Sequence, residues 1–158
     1  GTGHHATTRL MVEMLLNSHL EGKRVLDMGS GTGVLAIVAA KLNAESVLAV
    51  EIDDMAEESV RENIELNNVA DKIVSVCGDA SAIEGKEFDI VLANINRNIL
   101  TDMMPSFAEL LSSGGNLLMS GFLVEDVAII EAAATENGFK CVERKERDGW
   151  AVVVCCKI

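Results

Sequence analysis

The sequence predicts an α/β fold: a doubly wound, mostly parallel sheet of seven strands that ends in an antiparallel hairpin. Three observations carry this. Short β-rich runs alternate with helical stretches, which implies parallel pairing through right-handed crossovers. A glycine-rich turn, LDMGSGTG at residues 26–33, stands directly between the first strand run and an apolar helix run. The last two strand runs are separated only by Asp148-Gly149, a hairpin signal, so the final strand must insert antiparallel beside its neighbour.

Taken in order, the chain opens with GTGHHATT at residues 1–8, expected to be a loop that leads into an amphipathic helix over residues 9–17. Thr7 or Thr8 is placed to cap that helix. KRVLDMG (23–29) reads as the first strand, and GVLAIVAAKL (33–42) as an almost wholly apolar helix that must be buried. SVLAVEID (46–53) is the second strand. The next helix starts at Asp54 with Glu57 completing a capping box, carries Ala56, Val60 and Ile64 on one face, and ends at Asn67 and Asn68. KIVSVCGD (72–79) and FDIVLANI (88–95) are the third and fourth strands, joined by a short polar crossing. A helix over residues 98–111 is stopped by Ser112, Ser113 and the Gly114-Gly115 pair. NLLMSGF (116–122) is the fifth strand, and a helix over 124–137 ends at Gly138. FKCVERK (139–145) and WAVVVCCKI (150–158) form the hairpin.

A chain of 158 residues fits one domain that buries roughly 70% of its unfolded surface, and no repeat or linker divides it. No run approaches eighteen apolar residues and no basic-then-apolar segment opens the chain, so a cytoplasmic location is expected. Cys77, Cys141, Cys155 and Cys156 form no C-x-x-C pair, and neighbours in one strand point to opposite faces; they read as reduced thiols, with no metal site. The net charge of −12 disfavours binding to phosphate backbones and suits a basic peptide or protein partner, or serves solubility alone.

The candidate chemistry lies at the carboxyl ends of the strands, where open α/β sheets bind ligands. In the turn, Gly29 and Gly31 let a ligand approach the backbone, or satisfy packing alone. The spacing is G-x-G-x-G, unlike the G-x-G-x-x-G of dinucleotide folds, and Asp27 beside it would attract a cationic amino group and repel a pyrophosphate. Glu51, 22 residues after Gly29, ends the second strand and suits both hydroxyls of a ribose; Asp53 and Asp54 are read as caps. Asp79, ending the third strand, is placed to accept from an adenine amino group. Ile52 beside Glu51 and Ala80 beside Asp79 complete this cofactor set. Asn94 ends the fourth strand, where its side-chain carbonyl and the Ile95 backbone carbonyl would accept from a substrate amine and aim its lone pair. The alternative for Asn94 is a cap for the helix that follows.

The order LDMGSGTG, VEID, GDAS and ANI resembles the class I S-adenosylmethionine-dependent methyltransferases. GTGHHATT followed by that set resembles, more narrowly, the PrmA family, which methylates amino groups of protein eleven of the large ribosomal subunit. The resemblance implies a Rossmann-like fold, S-adenosylmethionine as cofactor, and cofactor contacts at Thr8, Gly29, Glu51 and Asn94. It also implies a basic ribosomal protein as substrate, docked by an amino-terminal domain that is absent here, with no direct role for nucleic acid or membrane. Ala6 stands where the family usually has proline, Glu51 where aspartate is usual, and Asn96 where leucine is frequent. His5 is the nearest candidate for a base, although no base is required. Competing readings are a class I methyltransferase of a small molecule or another protein, a silent cofactor-binding scaffold, and, disfavoured by the glycine spacing, a nicotinamide dehydrogenase.

Overall fold

The computed structural model describes residues 2–158, among which helices and strands alternate in the order α1 (Thr2–Leu16), β1 (Arg24–Met28), α2 (Val34–Lys41), β2 (Ser46–Glu51), α3 (Asp54–Leu66) and β3 (Ile73–Cys77). A 3-10 turn (Ala80–Ile83) then leads to β4 (Phe88–Asn94), α4 (Arg97–Leu110), β5 (Leu111–Leu123), α5 (Val127–Glu136), β6 (Phe139–Arg147) and β7 (Trp150–Lys157). The seven strands make one sheet in the order β3-β2-β1-β4-β5-β7-β6. The first five pair in parallel, and β7 inserts antiparallel between β5 and β6, as the hairpin signal requires. Asp148 and Gly149 at the hairpin tip both have positive φ, 52° and 84°, the requirement of a tight two-residue turn.

Alternation along the strands sends side chains to two cores. On one face Val25, Ala49 and Leu92 pack with Leu10 and Met11 of α1, Leu35 and Ile37 of α2, and Val60 of α3. On the other, Leu26, Val91 and Phe122 pack with Phe107 of α4 and Ile130 of α5. The apolar helix α2 is buried at Leu35, Ala36, Ile37, Ala39 and Ala40, and its alanines let it lie close to the sheet. Cys155 is buried and Cys156 half-buried on opposite faces of β7. Among the described residues no helix is long and apolar enough to cross a membrane.

Three elements differ from expectation. The segment GTGHHATT is not a loop: α1 begins at Thr2, and only Gly1 lies outside the described residues. The reason is periodic burial, because Ala6 and Thr7 extend the stripe of Leu10, Met11, Met14 and Leu15 at helical spacing. Thr7 therefore does not cap; its hydroxyl donates to the His4 carbonyl at 3.3 Å inside the helix. Second, Ser112 to Gly115 belong to β5, which meets the start of β4 through a bulge between Phe88 and Ile90. Third, residues 124–126 form a 3-10 turn before α5. The cap of α3 is Asp53, which accepts from the Met55 N–H at 3.0 Å; the side chains of Asp54 and Glu57, read as a capping box, lie outside the described residues.

At the amino ends of the strands, Asp89 of β4 ties β1 to β5. Its carboxylate accepts from the Arg24 backbone N–H at 2.8 Å and from Nε and Nη2 of the same arginine at 3.1 Å each, and from the Ser112 hydroxyl at 3.3 Å. These bonds hold the Asp89 carboxyl at about 2, below its ordinary value. A lowered carboxyl stabilises the fold above its unfolded pKa, near 3.9, and loses that contribution as pH falls toward 2. Asp89→Asn is expected to cost about 1 kcal/mol at neutral pH, the pair being partly exposed. Denaturant melts should show that gap constant down to about pH 4 and closing toward pH 2; a gap unchanged at pH 2 would contradict the assignment.

Candidate active site

Beyond Met28 the chain turns through Gly29, whose φ is +75°, and is tied to β2 by the Gly29 and Ser30 N–H groups, which donate to the Val50 carbonyl at 2.8 and 3.1 Å. A Cβ at Gly29 would stand 2.5 Å from Cγ2 of Ile95, so the turn abuts the segment after β4, and only glycine fits both the dihedral and the contact. Asp27 points toward α2 and is 1% exposed. Its carboxyl takes a hydrogen bond from the Ala36 N–H, an otherwise unpaired donor in the first turn of a helix whose N-cap, Gly33, offers no side chain. Oδ2 of Asp27 is buried without a hydrogen-bond partner among the described residues, and so is Oγ of Ser30. Burial pushes the Asp27 carboxyl up to about 7, against the pull of the Ala36 N–H and with a smaller push from the Glu51 charge. Such orphaned groups beside a turn that exposes backbone mark a polar ligand site.

Glu51 closes the other side of the turn. Oε2 accepts from the Gly31 N–H at 2.6 Å, and Oε1 from the Ile52 N–H at 3.1 Å. The carboxylate is thus fixed in place, with lone pairs left for hydroxyl donors. Ile52, beside it, is 63% exposed and lays an apolar surface on the rim. Asp79 caps the 3-10 turn: Oδ1 accepts from the Ser81 hydroxyl at 2.7 Å and the Ser81 N–H at 2.9 Å, bonds that lower its pKa. Ala80 opens that turn, and its side chain lies outside the described residues.

The capping alternative for Asn94 is excluded, because Asn96 is the N-cap of α4 and its side chain accepts from the Ile99 N–H at 3.0 Å. Asn94 instead ends β4 at a cleft of about 290 Å³, lined also by His4, Thr7, Ile95, Gly121 and Trp150. Thr8, one residue beyond Thr7 on α1, is half-buried outside this lining; His4 rather than His5 is the histidine at the cleft. His4, Thr7, Gly121 and Trp150 thus line the cleft beside Asn94 and Ile95, a placement not expected of them from the sequence. The burial period of α1 would have pointed to Thr7, and the lone tryptophan after the hairpin tip to Trp150; Gly121 had no signal within its apolar run. A larger cavity of about 480 Å³ lies elsewhere, among Glu84, Lys86, Glu87 and Glu109. We place the site at the rim because the orphaned Asp27 and Ser30 oxygens and the exposed backbone of the glycine turn are there.

Comparison with known proteins agrees on the fold. The family model described as ribosomal protein L11 methyltransferase (PrmA) matches residues 1–157. The ribosomal protein L11 methyltransferase of Porphyromonas gingivalis is 48% identical over 154 residues, covering 97% of this chain and 53% of that protein. Its counterpart from Bacteroides fragilis is 47% identical, covering 97% and 55%. The crystal structure of the ribosomal protein L11 methylase from Lactobacillus delbrueckii subsp. bulgaricus superposes with a TM-score of 0.89 at 31% identity, covering 96% of this chain and 79% of that one. The chain spans about half the length of the curated relatives it matches.

The raised carboxyl of Asp27 makes stability depend on pH with a definite sign. Its folded pKa, about 7, lies above the unfolded value near 3.9, so its contribution is fully present below pH 4 and is lost as pH rises toward 7. Asp27→Asn keeps an oxygen acceptor for Ala36 and removes the titration. It is expected to gain on wild type by roughly 4 kcal/mol in all between pH 4 and 7 and by nothing further above. Denaturant midpoints at four pH values from 4 to 8.5 check this, and a pH-independent difference would refute it.

Proposed function

The chain belongs to the ribosomal protein L11 methyltransferase family, and from that membership we propose that it transfers methyl groups from S-adenosylmethionine to amino groups, lysine side chains or an α-amine, of a ribosomal protein of the large subunit. The observation that carries this reading is the buried, unpartnered Asp27 oxygen beside a glycine turn that abuts the end of β4, where Asn94 and Ile95 line a cleft. The residues fit the cofactor. Asp27 and Ser30 answer its cationic amino group, Gly29 and Gly31 admit it to the backbone, and Glu51 takes the ribose. Ile52 would flank the adenine, Asp79 would receive its amino group, and Thr8 and Asn94 would complete the contacts. Bound there, the cofactor supplies an electrophilic methyl group on a sulfonium.

The chain's own residues position the acceptor. A lysine amine with a pKa near 10.4 is protonated in neutral water, and its nitrogen has a lone pair only after losing that proton. The half-buried pocket of Ile95, Thr7 and Trp150 favours the neutral form by withdrawing water from the charge. Oδ1 of Asn94 and the carbonyl of Ile95 then accept the two amine hydrogens and leave the lone pair facing the transferable methyl group. No general base is required, since the ammonium gives its proton to solvent water as it enters the pocket, and the neutral amine that remains attacks the methyl group. The net charge of −12 favours encounter with a basic ribosomal protein. The half of the relatives' length that this chain does not span supplies, in this reading, the domain that docks the substrate, and the reaction takes place in the cytoplasm.

Calorimetry with S-adenosylmethionine is expected to give one site per chain, and a full-length version to transfer labelled methyl to the ribosomal protein. Binding without transfer to that protein would move the acceptor assignment, and absence of binding would sink the reading altogether. Asn94→Ala is expected to lower kcat about 100-fold, the usual cost of misplaced reactants, and to weaken cofactor binding as well, since Asn94 also contacts the cofactor in this reading. Equal kcat in the variant would remove Asn94 from the mechanism.

A further inference from the structure

We propose that Gly121, at the bulge of β5, is a positioning residue that fixes the Ile95 carbonyl where it receives the acceptor amine; the proposal rests on the methyl-transfer reading above. Between Met119 and Phe122 the pairing of β5 with β7 slips out of register, and within that slip Gly121 adopts φ +100°. Strand interiors avoid glycine unless a bulge is needed or another backbone comes close, and here both hold. A Cβ at position 121 would stand 2.4 Å from the Ile95 oxygen, 2.8 Å from its carbonyl carbon and 2.9 Å from its nitrogen.

Ile95 is held from both sides. Its N–H donates to the Ser120 carbonyl at 3.1 Å, and its carbonyl lies against the bare α-carbon of Gly121. Its side chain lies against the bare α-carbon of Gly29, where a Cβ would meet Cγ2 at 2.5 Å. Bulges next to active sites re-aim what lies beside them, and this one faces backbone rather than a side chain. Ordinary contact begins at 3.4 Å, so any side chain at 121 must drive the Ile95 oxygen away by about 1 Å. A displacement of that size at a reacting centre costs on the order of 100-fold in rate. Cofactor binding is spared, because Glu51 and Asp27 sit on other strands.

Gly114 provides the control. It lies in the same strand with a similar φ of +81°, but nothing stands within 4 Å of a Cβ there. Gly114→Ala thus carries the backbone strain without the contact. In the full-length protein, Gly121→Ala is expected to reduce kcat about 100-fold with cofactor Kd within about threefold, while Gly114→Ala stays near wild type. Should Gly121→Ala not fold, Gly121→Ala combined with Ile95→Gly gives the segment room to yield. Its kcat should then fall at least about tenfold below that of Ile95→Gly alone.

A spectroscopic readout is independent of turnover. Ile95-Asn96 is the one Ile-Asn step in the chain, so labelling isoleucine carbonyls with carbon-13 and asparagine amides with nitrogen-15 isolates a single carbonyl resonance. That resonance should be displaced in Gly121→Ala and unmoved in Gly114→Ala. An unmoved resonance in Gly121→Ala, or kcat within threefold of wild type in an active enzyme, overturns this proposal alone. A wild-type protein that binds the cofactor and methylates no amine overturns the methyl-transfer reading, and this proposal with it.

Discussion

The structure depends on one close approach. At the carboxyl rim of the sheet the turn after β1, the end of β4 and the bulge of β5 come together around Ile95, and the contact is possible because the residues on either side of it, Gly29 and Gly121, carry no side chain. The same turn is bonded to β2 through the Val50 carbonyl, and Glu51 reaches back to the Gly31 N–H, so four strands are registered to one another at this rim. The gain is alignment. The groups proposed to face the cofactor and those proposed to face the acceptor are held in a fixed relation by a backbone contact without intervening rotamers.

The two ends of the sheet use carboxylates in opposite ways. At the amino ends Asp89 is saturated by Arg24 and Ser112, its charge is favoured, and it clamps β1, β4 and β5. At the carboxyl ends Asp27 is sealed from water with one oxygen bonded and the other orphaned, so its charge is disfavoured. A buried polar atom left unpaired costs stability, commonly 1–3 kcal/mol. Its placement beside the glycine turn is what a binding site requires, since a cationic group arriving there both pairs the oxygen and restores the charge.

Much of the fold could be read from residue pattern alone because the relevant signals are local. Strand runs, the apolar helix α2 and the Asp148-Gly149 tip each depend on neighbours in sequence. The glycine turn and the rim carboxylates were equally visible, since a turn between strand and helix restricts residue type strongly. What escaped had long-range causes. The burial stripe that draws Ala6 and Thr7 into α1 is set by packing against the sheet, which outweighs the loop-like composition of GTGHHATT. The division of labour between Asn94 and Asn96 turns on which of two nearby amides meets the N–H of Ile99. Gly121 is legible only in three dimensions, because the atom it must avoid belongs to a residue 26 positions earlier.

The most direct test of the account is a crystal structure of this chain with S-adenosylhomocysteine. The ligand is expected at the rim, its amino group against Asp27, its ribose on Glu51, and its sulfur facing the cleft of Asn94, Ile95 and Thr7. A ligand seated in the cavity of Glu84 and Glu109, or a ribose bound away from Glu51, would contradict it.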